Sequence, residues 1–430
     1  MLIERPFYVQ TIQRFLDESP KTILILDGPR FAGKSTLLDH VRHSKEMRPG
    51  KKYYYTFDDA IGTKQFKDAN DFMQYMQIKH GVDFQEPWLL LLNEIQYSKH
   101  IGQIFHDLIK KHKVRVKIIA TSIIHGAYQD FLQLHPKDYE LLTVHTISFL
   151  EFLAYKWFHT KFIDPFHFSG ILAQEIQPYL QEFLDWGAYP SVITANTESA
   201  KKSALQDIIQ HIFTKDVSFW FERDELAYFE QMLHIVNDQH EQVYNKLRIK
   251  NNYEVPMGTV DRYIQFMENN HLTTSIPPFA TDKKREVSQQ QKVVMLDMGI
   301  RNYIHSMFRR RPFDYRTMFH FVVQEVHKHL PHTATLAHYK KINWSAIDLI
   351  VQYNNKLFPI VIGMRNTTTI PKVYTPFMQT YNTEIWALCK TSFSTTTKEV
   401  YEKKPYFTIP YYLAGEALAK ILHSNKTSIL

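Results

Sequence analysis

The chain of 430 residues has a single cysteine, Cys389, so it can form no internal disulfide and no cysteine-based zinc site. Glycine is scarce at 13 residues, about half the usual share of roughly 7%. That excludes a collagenous or glycine-linker architecture and makes each glycine a better marker of a special backbone position. Long apolar runs are missing too. The longest, 88–92, falls far short of the ~20 residues needed to span a bilayer, so no membrane insertion is expected. The first residues, Met1-Leu-Ile-Glu-Arg-Pro6, lack the apolar core of a signal peptide, and the expectation is a soluble, cytoplasmic protein. Nor is there a strong excess of one charge. Lys plus Arg is 51 and Asp plus Glu is 44, and the resulting +7 permits nucleic-acid contact without arguing for it. The 22 histidines form no ligand-like cluster such as His-Glu-x-x-His.

What the chain does have is large side chains. Aromatic residues make up 14%, hydrophobic residues 44% and charged residues 22%. That composition suits a globular protein with sizeable cores and excludes wholesale disorder. At roughly 150 residues per domain, the length allows about three domains. Residues 1–150 alternate short apolar runs with helical patterns: 22–27, 53–57, 88–92, 116–120 and 141–147 read as strands, and Ile101, Ile104, Phe105, Leu108 and Ile109 mark an amphipathic helix. Strands alternating with helices imply an α/β core, a parallel sheet covered on both faces. Over 151–225 the strand signal disappears. Phe149, Phe152, Leu153 and Trp157 fit one helix face, Tyr179, Leu180, Phe183 and Leu184 fit another, and Gly187 suits a helix C-terminal cap, so a helical lid domain is expected. Residues 226–305 read as three helices, at 229–236, at 243–249 and from Thr259, then two strands at 272–276 and 293–296 around a basic turn. That is the order of a winged helix-turn-helix. Residues 306–430 return to α/β, with a helix over 319–330, strands over 346–353 and 356–362 joined by Asn354-Asn355, and a Ser/Thr-rich loop over 391–397.

The segment Gly28-Pro-Arg-Phe-Ala-Gly33-Lys34-Ser35 matches the phosphate-loop pattern G-x-x-x-x-G-K-[ST]. It directly follows the first strand and directly precedes a helix pattern, which is the placement the chemistry requires. Gly28 and Gly33 let backbone N–H groups turn inward, and the loop through Arg30 and Ala32 leads into a helix N-terminus at Thr36 that adds partial positive charge. Lys34 is expected to reach the β- and γ-phosphates of ATP, and the Ser35 hydroxyl to ligate Mg²⁺. The third strand runs into Asn93-Glu94. Glu94 is the candidate to orient the attacking water. Asn93 is a neutral amide at the strand end where an acid would support the metal's water shell. The fourth strand runs into Thr121-Ser122, with Ser122 the candidate to contact the γ-phosphate or the water.

At this point the chain resembles a family of bacterial and archaeal ATPases with an AAA-type P-loop core, a helical and winged-helix region of unknown function, and a C-terminal restriction-endonuclease-like domain. The resemblance rests on Arg5-Pro-Phe-Tyr8, the phosphate loop, Asn93-Glu-Ile-Gln96, Ser148-Phe-Leu-Glu-Phe152, Gly187-Ala-Tyr-Pro190, Lys215-Asp216, Thr259-Val-Asp-Arg-Tyr263 and Leu296-Asp-Met-Gly299, in that order over most of the chain. The family has Asp where Asn93 stands, Arg where Phe31 stands, Gly-Arg near Tyr139-Glu140, and often Pro where Thr146 stands. It implies an AAA-type core over 1–150, a helical lid over 151–225, a winged-helix domain over 226–305 and a nuclease-like domain over 306–430.

The resemblance also implies a nuclease hairpin carrying Asp on one strand and Glu-x-Lys on the next. Here Asp348 is present and Glu325 lies upstream, but Val361 stands for the acid and Gly363 for the lysine. Phosphodiester cleavage needs converging carboxylates and a cation, so no nuclease activity is expected. Basic residues of the winged-helix region, Lys246, Arg248, Lys250, Arg262, Lys283, Lys284 and Arg285, are candidates for DNA phosphate contact. The leading expectation is an ATP-binding protein that hydrolyses slowly and uses the nucleotide as a conformational switch, in association with DNA, with a protein partner or as a homo-oligomer. The competing expectation is a non-hydrolysing nucleotide-binding regulator or a DNA-binding or assembly module.

Overall fold

A computed structural model describes residues 3–45, 47, 51–57, 66–123, 135, 137–223, 225–238, 249–251, 255, 257–279, 291–308, 314–340, 346–363, 374–381, 383, 387–390, 397–401 and 404–423. The chain divides into two compact units, one of residues 1–146 with 266–271 and one of 147–265 with 272–430.

The first unit is built on five parallel strands, β1 (Ile23–Asp27), β2 (Lys52–Thr56), β3 (Leu89–Asn93), β4 (Lys117–Thr121) and β5 (Tyr139–Thr143), in the order β2-β3-β4-β1-β5. β1 and β3 are buried along their whole length, as continuous apolar strands in a sheet covered on both faces must be. Side chains alternate between the two faces, and this divides the apolar residues between two cores. Leu24, Leu26, Leu89, Leu91 and Ile119 pack with helices α1 (Pro6–Glu18) and α2 (Lys34–His43) through Ile12, Phe15, Leu38 and Val41. Ile23, Ile25, Leu90, Leu92 and Ile118 pack with α3 (Ala69–His80) and α4 (Ile101–Lys110) through Phe72, Met76, Ile104 and Phe105. The fifth strand begins earlier than hydrophobicity predicts. Tyr139 and Glu140 join the ladder because they pair in register with Ile23 and Leu24, and their backbone groups are held by β1 whatever their polarity.

The second unit opens with α5 (Phe149–Tyr155), whose start is closed by a capping box between Ser148 and Glu151. Phe149, Phe152 and Leu153 face inward as expected, but Trp157 does not continue their face. The helix ends at Tyr155, and Trp157 takes a left-handed backbone (φ 70°) with an exposed side chain. Helices α6 (Gly170–Trp186), α7 (Glu198–His211) and α8 (Leu226–Asp238) follow. Gly187 caps α6 with φ 79°. A Cβ there would lie 2.4 Å from Asp297 Oδ1, and one on Gly299 would lie 2.0 Å from the Trp186 carbonyl. Two sequence motifs far apart in the chain therefore meet, and the Asp297 carboxylate joins them by accepting from the N–H groups of Ala188 (2.8 Å) and Ile300 (2.9 Å). Burial pushes the Asp297 carboxyl up, against these two donors.

The expected helix at 243–249 lies, but for Ile249, outside the described residues. α9 (Met257–Asn269) is described, and strands β6 (Thr273–Ile276) and β7 (Lys292–Met295) pair antiparallel. The last four residues of α9 and Asn270-His271 group with the first unit. After α10 (Met298–Ile304) and α11 (Tyr315–Lys328) comes a mixed six-stranded sheet of order β12-β13-β11-β10-β9-β8. Its strands are β8 (Thr335–Lys340), β9 (Ala346–Tyr353), β10 (Lys356–Gly363), β11 (Ala387–Lys390), β12 (Thr397–Tyr401) and β13 (Lys404–Pro410), accompanied by α12 (Tyr374–Tyr381) and α13 (Ala414–His423). Asn354 and Asn355, at φ 50° and 60°, form the tight β9–β10 turn expected of them. Of the expected loop at 391–397, residues 391–396 lie outside the described residues and Thr397 begins a strand. Among the described residues no helix is long and apolar enough to cross a membrane.

Candidate phosphate-binding site

The site lies at the carboxyl ends of the parallel strands, where open α/β sheets bind ligands. The loop leaving β1 has three left-handed or otherwise positive-φ residues in close succession: Gly28 (141°), Phe31 (61°) and Gly33 (100°). At Gly28 there is a second reason for glycine, since a Cβ would lie 2.2 Å from the Val144 carbonyl. At Gly33 nothing lies within 4 Å of a Cβ, so the backbone conformation alone requires glycine. Phe31 tolerates the same region at some cost and leaves its ring exposed.

Helix α2 follows Gly33 at its N-cap, with no side-chain cap and no acidic residue in its first turn. Its first N–H groups and the dipole therefore face the loop as an anion-binding end. Lys34 is buried and turned into the loop, its Nζ donating to the carbonyls of Gly28 and Pro29 at 2.7 Å each. Ser35 and Thr36, one residue on, are exposed at the helix start.

A network of short polar side chains ties this helix to the ends of three strands. Asn93 Oδ1 accepts from Ser35 Oγ (2.9 Å) and from Thr121 Oγ1 (2.8 Å), while its Nδ2 donates to Thr56 Oγ1 (3.4 Å). Thr121 Oγ1 in turn accepts the Glu94 backbone N–H at 2.8 Å. Ser122, expected to contact the γ-phosphate or the water, follows Thr121 at the same strand end. Ser122 is buried, and its backbone N–H donates to Leu26 O at 3.0 Å, whereas Thr121 is the residue whose hydroxyl joins Asn93 to Glu94.

Glu94 has a left-handed backbone (φ 58°, ψ 50°) that turns the strand end into the short 3₁₀ turn Ile95–Tyr97. Its carboxylate accepts from Gln96 Nε2 and faces Arg30 at 3.6 Å, and Arg30 also donates to the Tyr97 hydroxyl at 2.8 Å.

Two further residues were not assigned roles by sequence. Arg5 lies 4.2 Å over the Tyr8 ring and donates to the carbonyls of Ala32 (3.1 Å) and His145 (2.8 Å), so the start of α1 clamps the phosphate loop. Only its place in the Arg5-Pro-Phe-Tyr8 motif signalled it. His271 Nε2 lies 3.1 Å from Oδ1 of Asp27, the residue before Gly28, with both side chains buried. No local pattern could have linked residues so far apart.

The other candidates are distributed differently. Asp348 stands on β9, between β8 and β10. One of its oxygens accepts the Ile362 N–H at 2.8 Å and the other accepts the Tyr315 hydroxyl. Burial pushes its carboxyl up against those bonds. Glu325 accepts the Phe149 N–H (2.9 Å) and pairs with Lys328 (2.7 Å), a helix-capping role. Among the described residues no group of three His, Cys, Asp or Glu side chains could hold a metal. Lys246, Arg248, Lys283, Lys284 and Arg285 lie outside the described residues. Arg262 pairs with Glu225 at 2.9 Å and lies 4.9 Å over the Phe221 ring.

Comparison with known proteins agrees with the first unit's geometry. Residues 20–153 match the family model of an AAA domain, and residues 177–311 match that of a domain of unknown function (DUF8612). Two uncharacterized proteins of Methanocaldococcus jannaschii are similar. MJ1637 is 20% identical over 69% of this chain and 66% of its own length, and MJ1544 is 22% identical over 51% and 49%. The chain thus spans about two thirds of one and half of the other. Among solved structures, the S. cerevisiae Hsp104–ADP complex is 16% identical, covering 63% of this chain and 38% of that one, with a TM-score of 0.31. C. elegans PCH-2 is 11% identical, covering 61% and 66%, with a TM-score of 0.28. The N-terminal part of the chain is an AAA-type P-loop domain on a five-stranded parallel sheet.

Proposed function

We propose that the first unit binds ATP with Mg²⁺ at the loop between β1 and α2, hydrolyses it slowly, and uses nucleotide occupancy as a conformational switch. The observation that carries this reading is the arrangement around Lys34. A buried ammonium is turned into a loop of positive-φ residues at an uncapped helix start, where it would compensate β- and γ-phosphate charge. The residues fit a magnesium ion that takes most of its ligands from phosphate and water. Ser35 offers one hydroxyl oxygen, and the Asn93 amide behind it fixes that hydroxyl's direction. Magnesium, when bound, neutralises charge on the β- and γ-phosphates. In this reading Glu94 is the residue that orients the attacking water.

The neutral Asn93 favours a second reading, in which the site binds nucleotide and does not hydrolyse it. Binding of labelled ATP to Lys34→Ala tests what both readings share. Loss of one charge-assisted contact, about 1.5–3 kcal/mol, is expected to weaken affinity by roughly tenfold to a hundredfold. Unchanged affinity would remove the phosphate-loop reading.

A further inference from the structure

The turn after β3 and the phosphate loop hold one another through a set of contacts that nucleotide binding alone does not require. Glu94, Gln96 and Arg30 are all buried. The Glu94 Oε2 atom accepts from Gln96 Nε2, and the same oxygen faces Arg30 Nη2 at 3.6 Å. Arg30 Nη2 also donates to the Tyr97 hydroxyl at 2.8 Å. The Gln96 carbonyl oxygen is buried and has no hydrogen-bond partner among the described residues, so the bond to Glu94 is what orients this amide. A buried acceptor without a partner is unfavourable, so this arrangement carries a cost. Glu94 itself sits in a left-handed conformation that a non-glycine residue adopts only when its surroundings impose it.

We propose that Gln96 and Arg30 form a latch that restrains the Glu94 carboxylate, and that Arg30 releases its side of the latch when phosphate enters the loop. This rests on the reading of the loop as an ATP site. In the latched arrangement, Oε2 is taken by the Gln96 amide and faced by a guanidinium. Glu94 then cannot orient water with that oxygen. Arg30 lies two residues after Gly28, within the segment that would cradle the phosphates. A guanidinium binds phosphate oxygens in a two-pronged geometry and more strongly than it binds a neutral phenol. The negative charge of a triphosphate therefore competes with the contacts that hold Arg30, among them the Tyr97 hydroxyl and the 3.6 Å approach to Glu94. Arg30 would thus report occupancy of the loop to the water-orienting carboxylate without touching the water. Gln96 and Arg30 are positioning residues in this scheme, and Tyr97 is the resting partner of Arg30.

The test is steady-state ATP hydrolysis and labelled-ATP binding by the full chain, for the wild type, Gln96→Leu, Tyr97→Phe and each change combined with Glu94→Gln. Gln96→Leu removes the donor to Glu94 and is expected to raise kcat about tenfold with KM for ATP little changed. Tyr97→Phe deletes one hydroxyl with little effect on packing. It is expected to tighten ATP binding a few-fold, because Arg30 loses one of the partners that compete with phosphate, and to raise kcat modestly. Both gains are expected to vanish with Glu94→Gln. A merely structural role for the turn would lower kcat or leave it alone. The latch is overturned if ATP binds in a Lys34-dependent way while Gln96→Leu and Tyr97→Phe leave kcat unchanged or lower. If the wild type binds no ATP, the loop reading fails and the latch falls with it.

Discussion

At the scale of single residues, Asn93 is the position on which the proposed hydrolysis turns. Its amide oxygen takes two hydroxyl donors, Ser35 and Thr121, and its amide nitrogen faces a third hydroxyl on Thr56. A carboxylate would fit this setting without a clash or an unpaired group. One oxygen would keep the two donors, and the other would accept from Thr56, whose hydroxyl can turn to donate. Asn93→Asp is therefore expected to fold normally and to add the negative charge that supports a metal's water shell. A positioning and charge term of roughly 1.5–4 kcal/mol corresponds to about ten- to a thousandfold in rate, of which the change should recover part. Steady-state ATPase assays of wild type and variant side by side check this. Brisk wild-type turnover that the variant leaves untouched would place the acid elsewhere.

At the scale of elements, α11 and α13 show how a close helix contact is combined with charge. A Cβ on Gly415 would lie 2.6 Å from the Glu325 carbonyl and 2.7 Å from His329 Nδ1, so the glycine permits the approach. His329 then sits between two acceptors, Nδ1 2.8 Å from Glu325 O and Nε2 3.1 Å from a Glu416 carboxylate oxygen. Burial pulls the imidazole's pKa down, but the hydrogen bond and charge of Glu416, with Glu325 behind it, outweigh this and raise it above its ordinary 6.5. Burial likewise pushes Glu416 up, and the His329 contacts win and lower it below 4.5. The raised histidine contributes stability that is full below its unfolded pKa and is lost as pH rises through the folded one. The lowered glutamate contributes stability that is full above its unfolded pKa and is lost as pH falls through the folded one. Both contributions are full only between those unfolded values. Glu416→Gln is expected to cost about 1–2 kcal/mol in urea unfolding near pH 5.5, and less at about pH 8.5. A cost that is the same at both pH values would show that the ring is neutral in the folded protein.

At the scale of the whole molecule, the two compact units bear on how the chain should melt. A two-unit chain need not unfold in one two-state step, and a ligand confined to one unit should stabilise that unit's transition. Scanning calorimetry with Mg-ATP at about a hundred times its Kd is expected to stabilise the nucleotide-binding unit by about 2.7 kcal/mol. The shift should disappear in Lys34→Ala. Equal shifts in wild type and variant would mean that the nucleotide acts away from the loop. The sequence by itself determined the parallel core, the phosphate loop and its register, and the Asn-Asn hairpin. Each is local, encoded by apolar runs, by glycine at positive φ, or by two residues that tolerate a tight turn. Only the tertiary structure decided who the partners are. Thr121 joins Asn93 to Glu94 across 27 residues, Arg5 reaches His145 across 140, and His271 reaches Asp27 across 244. Gly187 reads only as a helix cap, and Gly299 as one glycine of a motif, until Asp297 and the Trp186 carbonyl are seen against them. Hydrogen bonds and close approaches of this kind depend on which strand ends lie side by side, and sheet order, unlike hydrophobic period, leaves no mark on the residues that it brings together.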